Sequence, residues 1–169
     1  AVYASGGHYR ASNDINGLCN DVRRAIGEGH RRFKIKIGGA SLASDIERIE
    51  AVFGLLERGM SLAVDGNGTF DRDKTIQYLD ALKPYPQAWI EEPVHPLDFE
   101  LHLDIAAHSP LALVTGENLL SCDNTRNLTP TPGPRNDIYL HKLHMTQRSG
   151  MRQYFRAPSG LDYCHATPH

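Results

Sequence analysis

Apolar positions follow two alternating rhythms along this chain. Leu42, Ile46, Ile49, Val52, Phe53 and Leu56 recur at intervals of three and four, the spacing of a helix with one buried face, and predict a helix over 41–58 closed by Gly59. Phe33-Lys34-Ile35-Lys36-Ile37 alternates with a period of two and predicts a strand over 32–37. Read the same way, helices are expected over 13–28 (capped by Asn13 or Asp14, with Gly29 near its end), over 72–82 ahead of Pro84, and over 96–107. Strands are expected over 62–65, 88–91 and 111–115. Strand and helix alternate throughout, which argues for a parallel sheet in an α/β fold. Pro130, Pro132 and Pro134 fall within a loop that no regular element crosses, and a further strand is expected over 137–143.

Three carboxylates punctuate this alternation. Asp65, Glu91 and Glu117 each follow an apolar run, and each stands 26 residues after the last. One strand, one loop, one helix and one return loop take about this many residues in a β/α barrel, so the spacing predicts three side chains at the same end of successive parallel strands. Three ionised carboxylates within a few Å repel one another strongly unless a divalent cation neutralises them, and oxygen-only donors suit Mg²⁺. Taken singly the signals have plain structural readings: an acid after an apolar run is often a helix cap, and Asp65 before Gly66-Asn67-Gly68 is also turn chemistry.

The lysines of the predicted strand add a second signal. Phe33, Ile35 and Ile37 claim the helix-facing side, which turns Lys34 and Lys36 inward. A lysine beside a divalent cation and a second lysine is expected to have a lowered pKa, toward the range of a general base, and Lys36 lies nearer the strand's C-terminal end. A K-x-K strand alone is most often an edge strand with solvated lysines. Lysines followed by three carboxylates at matching strand ends leave fewer plain explanations.

At Lys34-Ile35-Lys36, Val64-Asp65-Gly66-Asn67, Trp89-Ile90-Glu91-Glu92-Pro93 and Thr115-Gly116-Glu117-Asn118 the chain resembles the mandelate-racemase-like branch of the enolase superfamily. The runs Ile37-Gly38-Gly39-Ala40-Ser41-Leu42, Arg48-Ile49-Glu50-Ala51-Val52, Pro96-Leu97-Asp98-Phe99 and Gly116-Glu117-Asn118-Leu119 resemble its D-tartrate dehydratase group, over about Val2 to Leu128. The resemblance implies a (β/α)8 TIM-type barrel, Mg²⁺ held by Asp65, Glu91 and Glu117, and Lys36 as the base that takes the proton alpha to a carboxylate. Lys34 would sit beside the substrate carboxylate, and Asn67 and Asn118 would contact substrate. The implied reaction is β-elimination of water from a hydroxy diacid or acid sugar through an enediolate to a keto acid. Racemisation or epimerisation on the same scaffold is the alternative, and a non-catalytic remnant a third. The acid histidine is expected at His169, through Pro168-His169, with His165 as the other candidate. The group's orienting Asp at the end of its sixth strand has no counterpart beside His141, Lys142 and His144, and Asp137 comes at the wrong end.

Length qualifies this picture, because 169 residues are fewer than the roughly 250 of a closed eight-stranded barrel. The chain therefore reads as 1–169 of a partial barrel domain, irregular after about 128. It lacks the N-terminal capping domain and some strands, begins just before the second barrel strand, and is expected to be weakly active or inactive alone. Composition is ordinary for a cytoplasmic enzyme: 40% hydrophobic, 22% charged, net charge -2. No apolar stretch approaches a membrane span, and Arg23, Arg24, Arg31 and Arg32 are interrupted by other residues as on a solvated helix face, so membrane and nucleic-acid partners are not expected. Cys19, Cys122 and Cys164 lack metal or disulfide spacing. The expected partner is a small acid substrate, and the parent enzyme is expected to be a homo-oligomer.

Overall fold

The computed structural model describes residues 3–12, 14–86, 89–118 and the backbone of 138–140. Six parallel strands lie in chain order in one sheet: β1 (Ala4–Gly6), β2 (Arg32–Lys36), β3 (Ser61–Asp65), β4 (Ile90–Glu91), β5 (Leu113–Thr115) and β6 (Ile138–Leu140). Helices α1 (Asp14–Gly27), α2 (Leu42–Phe53), α3 (Arg72–Leu82) and α4 (Phe99–His108) connect the first five. This is the predicted α/β architecture, a partial β/α barrel with neighbours in sequence also neighbours in the sheet.

Side-chain alternation on β2 divides the molecule. Phe33 and Ile35 are buried in the core with Leu62 and Val64 of β3, Ile90 of β4 and Leu113 of β5, against Leu18 and Val22 of α1, Ile49 and Val52 of α2, and Tyr78, Leu79 and Leu82 of α3. Lys34 and Lys36 occupy the other face, in register with Ala63 and Asp65. Asp65 in turn pairs in register with Glu91. The period-two pattern thus sorts apolar residues toward the helices and charge toward the inside of the curved sheet.

Element ends depart from the sequence reading for local reasons. Helix α2 ends at Phe53: the Gly54 N–H makes the last four-residue bond, to the Glu50 carbonyl, and the next bonds, Leu55 to Val52 and Leu56 to Phe53, tighten to three-residue spacing. Leu56 still packs on the core, so apolar periodicity continues past the helix itself. Helix α4 starts at Phe99 with Asp98 as its cap on the Leu101 N–H, not at Pro96. Helix α3 spans 72–82 as expected, capped by Asp71 on the Lys74 N–H at 2.8 Å. Strand β1 was not anticipated: Ala-Ser-Gly carries no apolar rhythm, and only its pairing with Phe33, Lys34 and Ile35 makes it a strand. Of the expected 137–143 strand, 138–140 is described; Asn13, Ala88 and Asp137 lie outside the described residues.

A buried carboxylate fastens the turns around β2. Asp45 of α2, fully buried, accepts hydrogen bonds from the Tyr9 hydroxyl at 2.5 Å, the Tyr78 hydroxyl at 2.7 Å and the Gly38 N–H at 2.6 Å. Arg48, one turn on, is bound to Asp14 and donates to the Gly7 carbonyl at 2.6 Å, with its guanidinium 4.1 Å from the Tyr9 ring centroid. Gly38 has φ +88 and no room for a Cβ against Phe70, so the turn after β2 needs glycine there.

Burial and the bond to Asp45 both push the Tyr9 and Tyr78 hydroxyls above the ordinary tyrosine value of 10.0. A raised folded-state pKa contributes stability that is complete below about pH 10 and lost as pH climbs toward the folded value. Unfolding free energy from urea titrations is therefore expected to fall on going from about pH 9 to pH 11. Tyr78→Phe should cost about 1.5–3 kcal/mol at neutral pH, the range for a bond to a charged acceptor, and should flatten the alkaline decline; an unchanged alkaline slope in Tyr78→Phe would contradict this account.

Candidate active site

Strands β2, β3 and β4 end in charged residues on one side of the sheet, and their register brings the charges into contact. The Lys34 ammonium lies 2.6 Å from Glu91 Oε1 and 3.0 Å from Asp65 Oδ2, and Lys36 Nζ lies 2.8 Å from the same Asp65 oxygen. Asp65 and Glu91 are buried, at 1% and 2% relative exposure, and Lys34 is buried with them. Two carboxylates and two ammoniums form one contiguous network. Separating such charges from water costs several kcal/mol per ion, so only mutual pairing makes the cluster tolerable here.

The aromatic surroundings were not singled out from the sequence. Trp89 Nε1 donates to Glu91 Oε2 at 3.3 Å, which fixes the second carboxylate oxygen, and the Tyr3 ring packs edge-on against Trp89 with centroids 5.6 Å apart. Lys34 Nζ stands 5.3 Å from the Tyr3 centroid. The lone tryptophan of the chain was visible in Trp-Ile-Glu-Glu, yet nothing local indicates that its indole N–H turns back on the acid two residues later.

Asp65 combines both roles that its sequence context allows. Its Oδ1 accepts from the Asn67 N–H at 3.0 Å, an Asx-type turn that brings Asn67 to φ 50, while Oδ2 faces the lysines. Asn67 is exposed at this turn. Turn chemistry and site chemistry therefore use different oxygens of one carboxylate.

Glu117 stands apart from this group. Register sets Val114, not Glu117, beside Glu91, and Glu117 follows the end of β5 by two residues as an exposed side chain. Among the described residues no three His, Cys, Asp or Glu side chains lie together in a metal-holding group. Equal spacing counts residues, whereas contact depends on where each strand stops. His169, His165 and residues 119–137 lie outside the described residues.

Glu92, like Tyr3 and Trp89, is given no role by the sequence reading. Its carboxylate, 3% exposed, accepts from the Gly116 N–H at 3.3 Å, the Glu117 N–H at 3.2 Å and Asn118 Nδ2 at 3.2 Å, with the Thr115 hydroxyl at 3.5 Å. Its φ of 36 is in the left-handed region, a backbone cost of about 1–3 kcal/mol that clusters at functional sites. Burial chiefly pushes the Glu92 carboxyl above its ordinary value of 4.5; the Gly116 bond opposes this, and the charges of Glu117, Glu91 and Asp65 reinforce it.

Lys34 corrects one electrostatic expectation. Burial lowers its pKa, but contact with Glu91 and Asp65 outweighs burial and holds it above the ordinary 10.5. The lowered value expected from a second lysine and a divalent ion does not apply to Lys34 as these side chains stand, because two touching carboxylates dominate one neighbouring ammonium. The donor chemistry nonetheless suits a hard cation: two buried carboxylates from adjacent strands converge on one positive charge, and the Lys34 ammonium occupies that place.

The family described as enolase C-terminal domain-like matches residues 18–131. The L-talarate/galactarate dehydratase of Salmonella typhimurium is 36% identical over 88 residues, 52% of this chain and 22% of that protein. A crystallised racemase from Streptomyces coelicolor A3(2) with bound magnesium superposes with a TM-score of 0.70 at 30% identity, over 75% of this chain and 35% of that one. An L-talarate dehydratase from Polaromonas sp. JS666, crystallised with Mg and L-glucarate, gives 0.68 at 28% identity over the same shares. The chain thus spans about a fifth of the first relative and about a third of the two crystallised proteins.

Removing the ammonium between the buried carboxylates is expected to leave them uncompensated. Lys34→Met should destabilise the chain by about 3–5 kcal/mol in urea unfolding without divalent ions. In the wild type the Lys34 contribution is complete below about pH 10.5 and declines as pH rises through its raised folded value. A loss under about 1 kcal/mol in Lys34→Met, the size of an ordinary surface pair, would show that the cluster is not the buried network described.

Proposed function

Because the chain belongs to the enolase C-terminal domain-like family, we propose that it carries the cation and base side of a Mg²⁺-dependent dehydratase acting on a hydroxy diacid or acid sugar. The observation that carries this reading is the shared position between Asp65 and Glu91, held by Lys34 and flanked by Lys36. Asp65 and Glu91 would hold Mg²⁺, with Glu117 supplying the third carboxylate from the turn after β5. The cation, when bound, supplies positive charge for the negative charge that develops on the substrate carboxylate.

Every other step falls to this chain's side chains. Lys34, once released from the carboxylates, binds an anionic substrate oxygen. Lys36 Nζ in its neutral form takes the proton from the carbon alpha to the carboxylate; the electron pair of that C–H bond becomes the new C–C double bond. The C–O bond on the next carbon breaks, and its hydroxyl leaves as water after taking a proton from an acid, assigned to His169 with His165 as the alternative. The resulting enol tautomerises to the keto acid. Asn67 and Asn118, both exposed at the turns after β3 and β5, line the substrate side. Residues 1–169 are read as a partial barrel domain.

Acid sugars are favoured as the substrate class because relatives named for dehydration of talarate and galactarate, arabinonate and L-galactonate recur among the matches. D-tartrate is the narrower reading, carried by the sequence runs around Ile37–Leu42 and Gly116–Leu119. A racemase reading is kept alive by the magnesium-bound Streptomyces neighbour; product analysis separates the two, since elimination loses a hydroxyl and inversion does not.

Two measurements test this function. Mg²⁺ titration of the chain, followed through Trp89 fluorescence, is expected to saturate, and Glu91→Gln to weaken it by at least about tenfold; no response in the wild type would remove the cation site. In the full-length parent with an acid-sugar panel, Lys36→Met should abolish deuterium exchange at the alpha carbon and lower turnover by at least about a hundredfold. Exchange at the wild-type rate in Lys36→Met would assign the base elsewhere.

A further inference from the structure

Asp65 and Glu91 end β3 and β4 and Glu117 lies in the turn after β5, and one residue bonds to the segments that follow β3 and β5 from its place after β4. Glu92 follows Glu91 directly. Its carbonyl accepts from the Gly68 N–H at 2.6 Å, in the turn that leaves Asp65, and its own N–H donates to the Val114 carbonyl at 2.8 Å. Its carboxylate takes the Gly116 and Glu117 N–H groups on one oxygen and Asn118 Nδ2 on the other. Gly116 needs its φ of +125 for the chain to turn there, and among the described residues β5 ends at Thr115 and no strand includes 116–118. The Glu92 side chain therefore supplies what the sheet does not.

We infer that Glu92 is a positioning residue whose carboxylate clasps the Glu117-bearing turn to the end of β4 and so tunes cation affinity at the Asp65 and Glu91 site. The inference rests on the cation reading given above, but assigns a role to a residue that is not itself offered as a ligand. Its oxygens are already occupied by donors from 116–118, which suits a clasp rather than coordination. The φ of 36 at Glu92 fits the same role: a non-glycine residue held in the left-handed region keeps its side chain turned into a particular neighbour.

Glutamine and alanine separate a clasp from a charge. Glu92→Gln keeps one carbonyl oxygen for both backbone N–H groups, and a flip of the Asn118 amide accommodates the new NH₂. Glu92→Ala removes every acceptor. With Mg²⁺ as the probe and Trp89 fluorescence or calorimetry as the readout, Glu92→Ala is expected to bind about tenfold more weakly, in the range seen for residues that orient metal ligands. Glu92→Gln should stay within about threefold of wild type, less than half of that loss on the free-energy scale. Equal affinity in wild type and Glu92→Ala overturns the inference, and so does an equal loss in both variants, which would mark a charge effect. Absence of any Mg²⁺ response in the wild type sinks the cation reading itself, and is distinguishable because it appears before any variant is compared. Amide exchange of the wild-type chain needs no variant and covers an unfolded Glu92→Ala. The Gly116 and Glu117 N–H groups are expected to exchange slowly although they lie beyond β5, and more slowly with Mg²⁺ bound; exchange at open-turn rates, or no change with Mg²⁺ in a chain that binds it, overturns the clasp.

Discussion

One ammonium shared by two buried carboxylates constrains everything around it. Asp65 and Glu91 are register partners on adjacent parallel strands, so their side chains are forced to the same side of the sheet. Like charges a few Å apart in a poorly solvated site repel by several kcal/mol, and Lys34 between them turns that repulsion into attraction. Lys36 completes a two-against-two balance through Asp65. Under the proposed function, Asp65 and Glu91 would exchange Lys34 for a divalent cation, and the lysines would be freed for the negative charge and the acidic proton of a substrate.

The end of β2 is fixed from both sides. Lys36 is held on the inner face by Asp65, the next residue's N–H donates to the Asp65 carbonyl at 2.9 Å, and the Gly38 N–H then reaches outward to Asp45. Within three residues the chain passes from one buried charge cluster to another. Asp45, Arg48, Tyr9 and Tyr78 tie the turns after β1 and β2 to α1 and α3, so the strand carrying the candidate base has little freedom to shift. A proton-transfer group depends on this rigidity, since displacements of about 1 Å cost large factors in rate.

The family match ends at residue 131 and includes the lysines, the three carboxylates and both asparagines. The candidate acids His165 and His169 lie beyond it. Under the proposed function, the matched region would carry the binding of an acid's carboxylate and the removal of its alpha proton.

Local sequence determined the elements and their faces. Period-two alternation at 33–37 sent Phe33 and Ile35 to the helices and Lys34 inward, and an Asp cap followed by a proline stop placed α3 over 72–82. Each of these is a short-range property, decided by side-chain direction and by which N–H groups need a partner. Tertiary structure decided register and the contacts that follow from it. Three residues of Ala-Ser-Gly became β1 only because β2 offered a ladder. Equal spacing of Asp65, Glu91 and Glu117 did not become equal contact, because β5 aligns Val114 with Glu91 and leaves Glu117 in the following turn. The acidic pair Glu91-Glu92 was plain in the sequence, yet its division of labour was not: one faces the lysines, the other the amides after β5. A backbone at φ 36 and donors about 25 residues away make that difference, and long-range pairing of this kind leaves no period for a sequence to display.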